Sequence, residues 1–105
     1  IPSMVLVKSV DENRFVYINK SAEERLGIKK EDLVDIYKRN EEDSIIPEII
    51  SKNDLPEQGE NKQNNASTRR IEFPSGELIK GHIKKIPIHG SSGSVKYILF
   101  IIDPE

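Results

Sequence analysis

Six consecutive apolar residues, Tyr97 to Ile102, constrain this chain more than any other feature. Successive side chains of a strand point to opposite faces. Tyr97, Leu99 and Ile101 therefore form one face, and Ile98, Phe100 and Ile102 the other. A strand with one face in water alternates apolar with polar residues. This one does not, which predicts a strand buried on both sides. One side is the domain's own core. The other needs a cover, and the chain has no spare helix to supply it. The run is too short to span a bilayer.

The rest of the chain supplies partners for that strand. Met4-Val5-Leu6-Val7 is a short apolar run, Asp11-Glu12-Asn13 has turn chemistry, and Arg14 to Ile18 is β-branched and aromatic. Together they predict a hairpin. Arg69 to Phe73 alternates, Pro74-Ser75-Gly76-Glu77 supplies a second turn, and Leu78 to Ile88 returns. His89 to Gly93 is a third turn before the closing strand, Val95 to Asp103. Between the two β regions the pattern is helical. Asn19 is a good N-cap, Lys20 to Leu26 favour helix, and Gly27 suits the left-handed position after its end. A second short helix is expected over Glu31 to Val34. Ile45, Ile46, Ile49 and Ile50 fall on one face of a helix spanning Asp43 to Lys52, with Pro47 in its first turn. Glu57 to Ser67 is almost wholly polar and is expected to be a mobile surface loop. Two strands, short helices, then three strands predict an α+β fold, an antiparallel sheet of five strands with the helices on one face.

With 105 residues the chain fits one domain. Folding at that size hides roughly two-thirds of the surface of the unfolded chain, enough for a core without crosslinks. No cysteine is present, which excludes disulfides, thiolate metal sites, cysteine nucleophiles and cysteinyl-flavin adducts. The net charge is -2 with both signs interspersed. No basic stripe points to nucleic acid, and nothing resembles a signal peptide. The setting expected is cytoplasmic, with no membrane contact by this domain. The chain begins without a start methionine and stops just after a strand, as expected of one domain from a larger protein.

The order and spacing of these pieces resemble a PAS domain, the sensory box of bacterial signal-transduction proteins. Phe15-Val16-Tyr17-Ile18-Asn19-Lys20-Ser21-Ala22-Glu23-Glu24-Arg25-Leu26-Gly27 resembles the family's second strand and first helix. Lys30-Glu31-Asp32-Leu33 resembles the short helix that follows, and Pro74-Ser75-Gly76-Glu77 the family's hairpin turn. Lys85-Ile86-Pro87-Ile88 and Tyr97 to Asp103 resemble the last two strands, with Asp103 at the family's exit motif, the point where a signal leaves. The resemblance implies that Tyr97, Leu99 and Ile101 face inward, and that Ile98, Phe100 and Ile102 form an outer face that meets a flanking helix or a second copy in a homodimer. The same phase turns Arg69, Ile71 and Phe73 inward, with Gly81, Ile83 and Lys85 on the next strand. Ile71, Phe73, Ile83, Lys85, Tyr97, Leu99 and Ile101 are thus the candidates to line a small-molecule pocket. Arg69 and Lys85 near such a pocket suit a small anion, although cations at strand ends more often reach out to water. Ile86 and Ile88 lie on the opposite phase to Ile83, which suggests a bulge or twist between them.

Catalytic chemistry has little support. His82 lies mid-strand and His89 at a turn, and neither has a placed partner of the kind a metal or haem ligand needs. Members of the family that bind haem carry a histidine on the central helix, and this helix has none, so neither haem nor covalent flavin is expected. Gly90-Ser91-Ser92-Gly93 lacks the lysine of a phosphate loop. The carboxylate clusters Glu23-Glu24, Glu31-Asp32 and Glu41-Glu42-Asp43 have no apolar surroundings to shift them toward acid–base work. The expectation is a non-catalytic sensory or relay domain, in a sensor histidine kinase first, in a diguanylate cyclase or phosphodiesterase second. A dimerisation module without ligand is the alternative.

Overall fold

The computed structural model describes residues 2–51 and 68–105. The expected loop from Glu57 to Ser67 lies outside the described residues. β1 (Met4–Ser9) and β2 (Arg14–Ile18) form the first hairpin. Its turn is closed by Asn13 at φ 53°, a left-handed conformation that Asn tolerates better than most residues. The pairing register shifts between Val7 and Lys8, since Val7 opposes Tyr17 and Lys8 opposes Phe15. Val16 is the extra residue of this bulge. Phe15 and Ile18 are three apart and would otherwise point to opposite faces, yet both are fully buried.

Asn19 then caps α1 (Lys20–Leu26). Its Oδ1 accepts the amide hydrogens of Ala22 and Val5, both at 3.0 Å, and its Nδ2 donates to the Ser3 carbonyl at 3.0 Å. One side chain thus satisfies a helix start and pins that helix to β1. Gly27, at φ 74°, ends α1 with its amide on the Glu23 carbonyl, the left-handed cap expected of Gly. A single 3-10 turn (Lys30–Asp32) leads into α2 (Leu33–Lys38), later and longer than the helix expected from Glu31 to Val34.

The isoleucine-rich segment departs from expectation. It forms two four-residue helices, α3 (Glu42–Ile45) and α4 (Glu48–Ser51), not one helix. Ile46 between them is extended, at φ -97° and ψ 121°. The cause is Pro47, whose ring disfavours the helical region for the residue before it. The break still lets Ile46 and Ile50 bury fully, with Ile45 and Ile49 packed against the core.

β3 (Thr68–Glu72), β4 (Leu78–His89) and β5 (Val95–Pro104) complete the fold. The sheet is antiparallel throughout, in the order β2-β1-β5-β4-β3. The architecture is therefore the expected α+β arrangement, five antiparallel strands with short helices on one face. β5 lies at its centre, flanked by β1 and β4. The core joins Met4, Leu6, Phe15 and Ile18 of the first hairpin to Ala22, Leu26, Leu33 and Ile50 of the helices and to Ile71, Ile83, Phe100 and Ile102 of the last strands. Each Met, Leu, Ile or Phe side chain among them contributes about 1.5–3 kcal/mol when fully buried.

Candidate functional site: the two faces of the closing strand

The phase of β5 is the reverse of the one expected. Ile98, Phe100 and Ile102 point into the core, with Phe100 and Ile102 fully buried. Tyr97, Leu99 and Ile101 point to the outer face and are half-buried. The register fixes this. Ile102, Phe100 and Ile98 oppose Met4, Leu6 and Lys8 of β1, and Val5 and Val7 oppose Ile101 and Leu99. Met4 and Leu6 are the residues of β1 that the helices cover. The sequence held no polar marker to set the phase, because both triplets are apolar and similar in size.

The inner face holds the other pocket candidates. Ile71, Phe73 and Ile83 are buried in the core. Phe15 and Phe100 meet with ring centroids 5.6 Å apart. The Lys8 ammonium lies 5.6 Å from the Phe15 ring and the Lys85 ammonium 5.8 Å from the Phe100 ring. Such positions favour a cation through the quadrupole of the ring. Lys85 is thus on the inner side as expected and half-buried, while Arg69 is exposed. Open clefts occur elsewhere among the described residues. One, of about 590 Å³, is lined by Arg70, Leu78, Ile79, Lys80, Pro104 and Glu105. Another, of about 350 Å³, lies between the α3–α4 junction and Glu72, Phe73 and Pro74.

The outer face carries residues that the sequence did not single out. Tyr17, Val7, Leu99 and Ile86 stand side by side across β2, β1, β5 and β4. Val5 and Ile101 form the next row, and Tyr97 and Ile88 the row on the other side. Tyr17, Ile86 and Ile88 are each 41% exposed. The pairing of β4 with β5 runs without a shift from Gly81 to Ile88. No bulge separates Ile83 from Ile86. Ile86 and Ile88 simply belong to the outer face, and their phase opposite to Ile83 was the signal for it.

This apolar surface lies next to the end of the sheet at Asp103. The Asp103 carboxylate accepts a hydrogen bond from the Ser3 hydroxyl and stands opposite His82 across the ladder. Thr68 Oγ1 lies 3.5 Å from His82 Nδ1 and donates to Glu105 at 3.3 Å. Gly81 permits close approach here, since a Cβ at that position would sit 2.7 Å from the Asp103 carbonyl oxygen. His89 is exposed at the far end of β4. Among the described residues no group of His, Asp and Glu side chains is arranged to hold a metal ion, and no helix is long and apolar enough to cross a membrane.

Comparison with solved structures places the architecture. The chain is similar to the N-terminal domain of a diguanylate cyclase with PAS/PAC sensor from Marinobacter aquaeolei, with a TM-score of 0.55 and 11% identity over 98% of this chain and 94% of that one. The fold is PAS-like. No family model and no curated protein matches the sequence. The likeness is therefore one of fold.

Proposed function

We propose that this chain is a sensory or signal-relay domain of a larger bacterial signalling protein and has no catalytic role of its own. The observation that carries the proposal is the outer face of β5. Tyr97, Leu99 and Ile101 present an apolar surface on the central strand, three residues before β5 ends at Pro104. A flanking helix or a second copy that covers this surface also lies against the end of β5, so a small shift of the sheet re-sets both together. That is a two-state element which a ligand or a partner can bias by binding one state better. The PAS-like fold and its occurrence in a protein named as a diguanylate cyclase with a sensor are in keeping with this role. The output partner expected from the sequence resemblance is a histidine kinase, with a diguanylate cyclase as the alternative. The residues encoded beyond Glu105 in the gene distinguish them.

The test is Leu99→Asp in the intact protein. Leu99 points away from the core, so the domain is expected to stay folded while the output activity changes. A folded Leu99→Asp domain with unaltered output contradicts the proposal.

A further inference from the structure

β4 begins at Leu78 but pairs with β5 only from Gly81 onward, so the β3–β4 hairpin runs past the last paired residue of β5. The corner between them is the open cleft of about 590 Å³ lined by Arg70, Leu78, Ile79, Lys80, Pro104 and Glu105. Ile71 is buried in the core, so Arg70 beside it faces out. The register sets Arg70 directly opposite Lys80, and both are exposed. Like charges directly opposite on neighbouring strands destabilise the pair. Among the described residues neither cation forms a salt bridge. The carboxylate that lines the cleft, Glu105, accepts instead from the Thr68 hydroxyl at 3.3 Å. Leu78, Ile79 and Pro104 make the rest of the lining apolar. Leu78 is 59% exposed, more than any other large hydrophobic among the described residues. The wall on the β5 side is held by backbone. The Glu105 amide donates to the Lys80 carbonyl at 2.9 Å, and Gly81 lets Asp103 lie close against β4.

We propose that this cleft is a binding site for a small aliphatic carboxylate. The planar guanidinium of Arg70 can take both oxygens of a carboxylate in two parallel hydrogen bonds, and Lys80 adds a compact positive charge. An anion between the two cations relieves their repulsion. The charge of the lining favours a singly charged head. Two cations and one carboxylate leave a surplus of one positive charge, which a carboxylate neutralises and a phosphate dianion exceeds. The apolar lining sets the rest of the ligand. Leu78 lies two residues along β4 from Lys80, about 7 Å, the reach of a tail of about six carbons. Such a tail covers Leu78 and lies against Ile79 and Pro104. The cleft is within the range of about 300–1,000 Å³ usual for small-molecule sites. It shares no residue with the inner-face pocket candidates, and it does not rest on the outer face of β5 being a signalling surface.

The probe is octanoate. Octylamine, with the same tail and the opposite charge, acetate, with the head alone, and inorganic phosphate are its controls. Calorimetry on the intact protein at low salt is expected to give an octanoate Kd on the order of a millimolar or tighter, within the binding energy a ligand of that size can supply. Each control is expected to bind at least about tenfold more weakly, and added salt to weaken octanoate. In the chain amidated at Glu105, so that no terminal charge intrudes, octanoate is expected to shift the amides of Arg70, Leu78, Ile79, Lys80 and Glu105. Arg70→Gln and Lys80→Gln, both at exposed positions, are each expected to weaken octanoate at least about fivefold with circular dichroism unchanged. Leu78→Ser is expected to weaken octanoate and leave acetate as it was. The comparison of octanoate with octylamine needs no variant and stands even if one of these fails to fold. No binding of octanoate, equal binding of octylamine, tighter binding of phosphate, or shifts centred on other residues overturns the proposal. So does unchanged affinity in the folded Gln variants. Binding to the chain that the intact protein lacks overturns it as well, because another part of that protein then fills the cleft.

Discussion

Asn19 shows how much a single residue settles in this fold. Its side chain makes three hydrogen bonds, to the amides of Val5 and Ala22 and to the Ser3 carbonyl. The first belongs to β1, the second to the first turn of α1, and the third to the segment that also meets Asp103 through Ser3. Replacement by Ala removes a helix cap and also leaves two backbone groups of β1 and its approach without that partner. A loss of about 2 kcal/mol is expected, at the upper end for a cap. Chemical denaturation of Asn19→Ala at unchanged denaturant slope checks it. Asn19→Asp keeps the acceptor for the two amides but not the donor to Ser3, and should fall between Ala and the natural residue. Asn19 and Gly27 were legible in the sequence because capping is local chemistry. Its bonds to Val5 and Ser3 were not, since they depend on which strand lies beside the helix.

At the scale of elements, the strands were the most legible part. The five strands lie where alternation and turn residues put them, and β2 was expected over the residues it occupies, Arg14 to Ile18. The helices between Leu33 and Ser51 were read less well. Four isoleucines at helical spacing suggested one helix, but Pro47 turns Ile46 extended and divides it. The candidate site was legible in position and not in orientation. The sequence identified β5 as the strand with two apolar faces, and the structure reverses which face looks inward. Orientation was set by long-range register, above all Leu6 opposite Phe100, and no local signal in β5 encodes it. A paired substitution checks this phase. Phe100→Ala empties a fully buried site and is expected to cost about 3–5 kcal/mol. Leu99→Ala, on the outer face, is expected to cost clearly less, under about 1.5 kcal/mol. Equal losses in denaturant unfolding, or a larger one for Leu99→Ala, contradict the phase.

At the scale of the whole molecule, one sheet separates two unlike environments. Helices seal the inner face into a core, and the outer face keeps an apolar surface centred on Val5, Val7, Leu99 and Ile101. Monomeric soluble proteins rarely leave contiguous apolar surface without a use, and here the surface adjoins Asp103, next to the last residue of β5. A signalling surface of this kind is covered in the working protein. The chain's lack of cysteine makes a direct measurement available through Leu99→Cys. Its alkylation by a small maleimide, quantified at that site by mass spectrometry, is compared between this chain alone and the intact protein. Labelling is expected to be ready in the chain alone and at least about tenfold slower in the intact protein, where the side chain must wait for local opening to be reached. Equal rates in the two forms would show the outer face open in the working protein and contradict its role as a covered signalling surface.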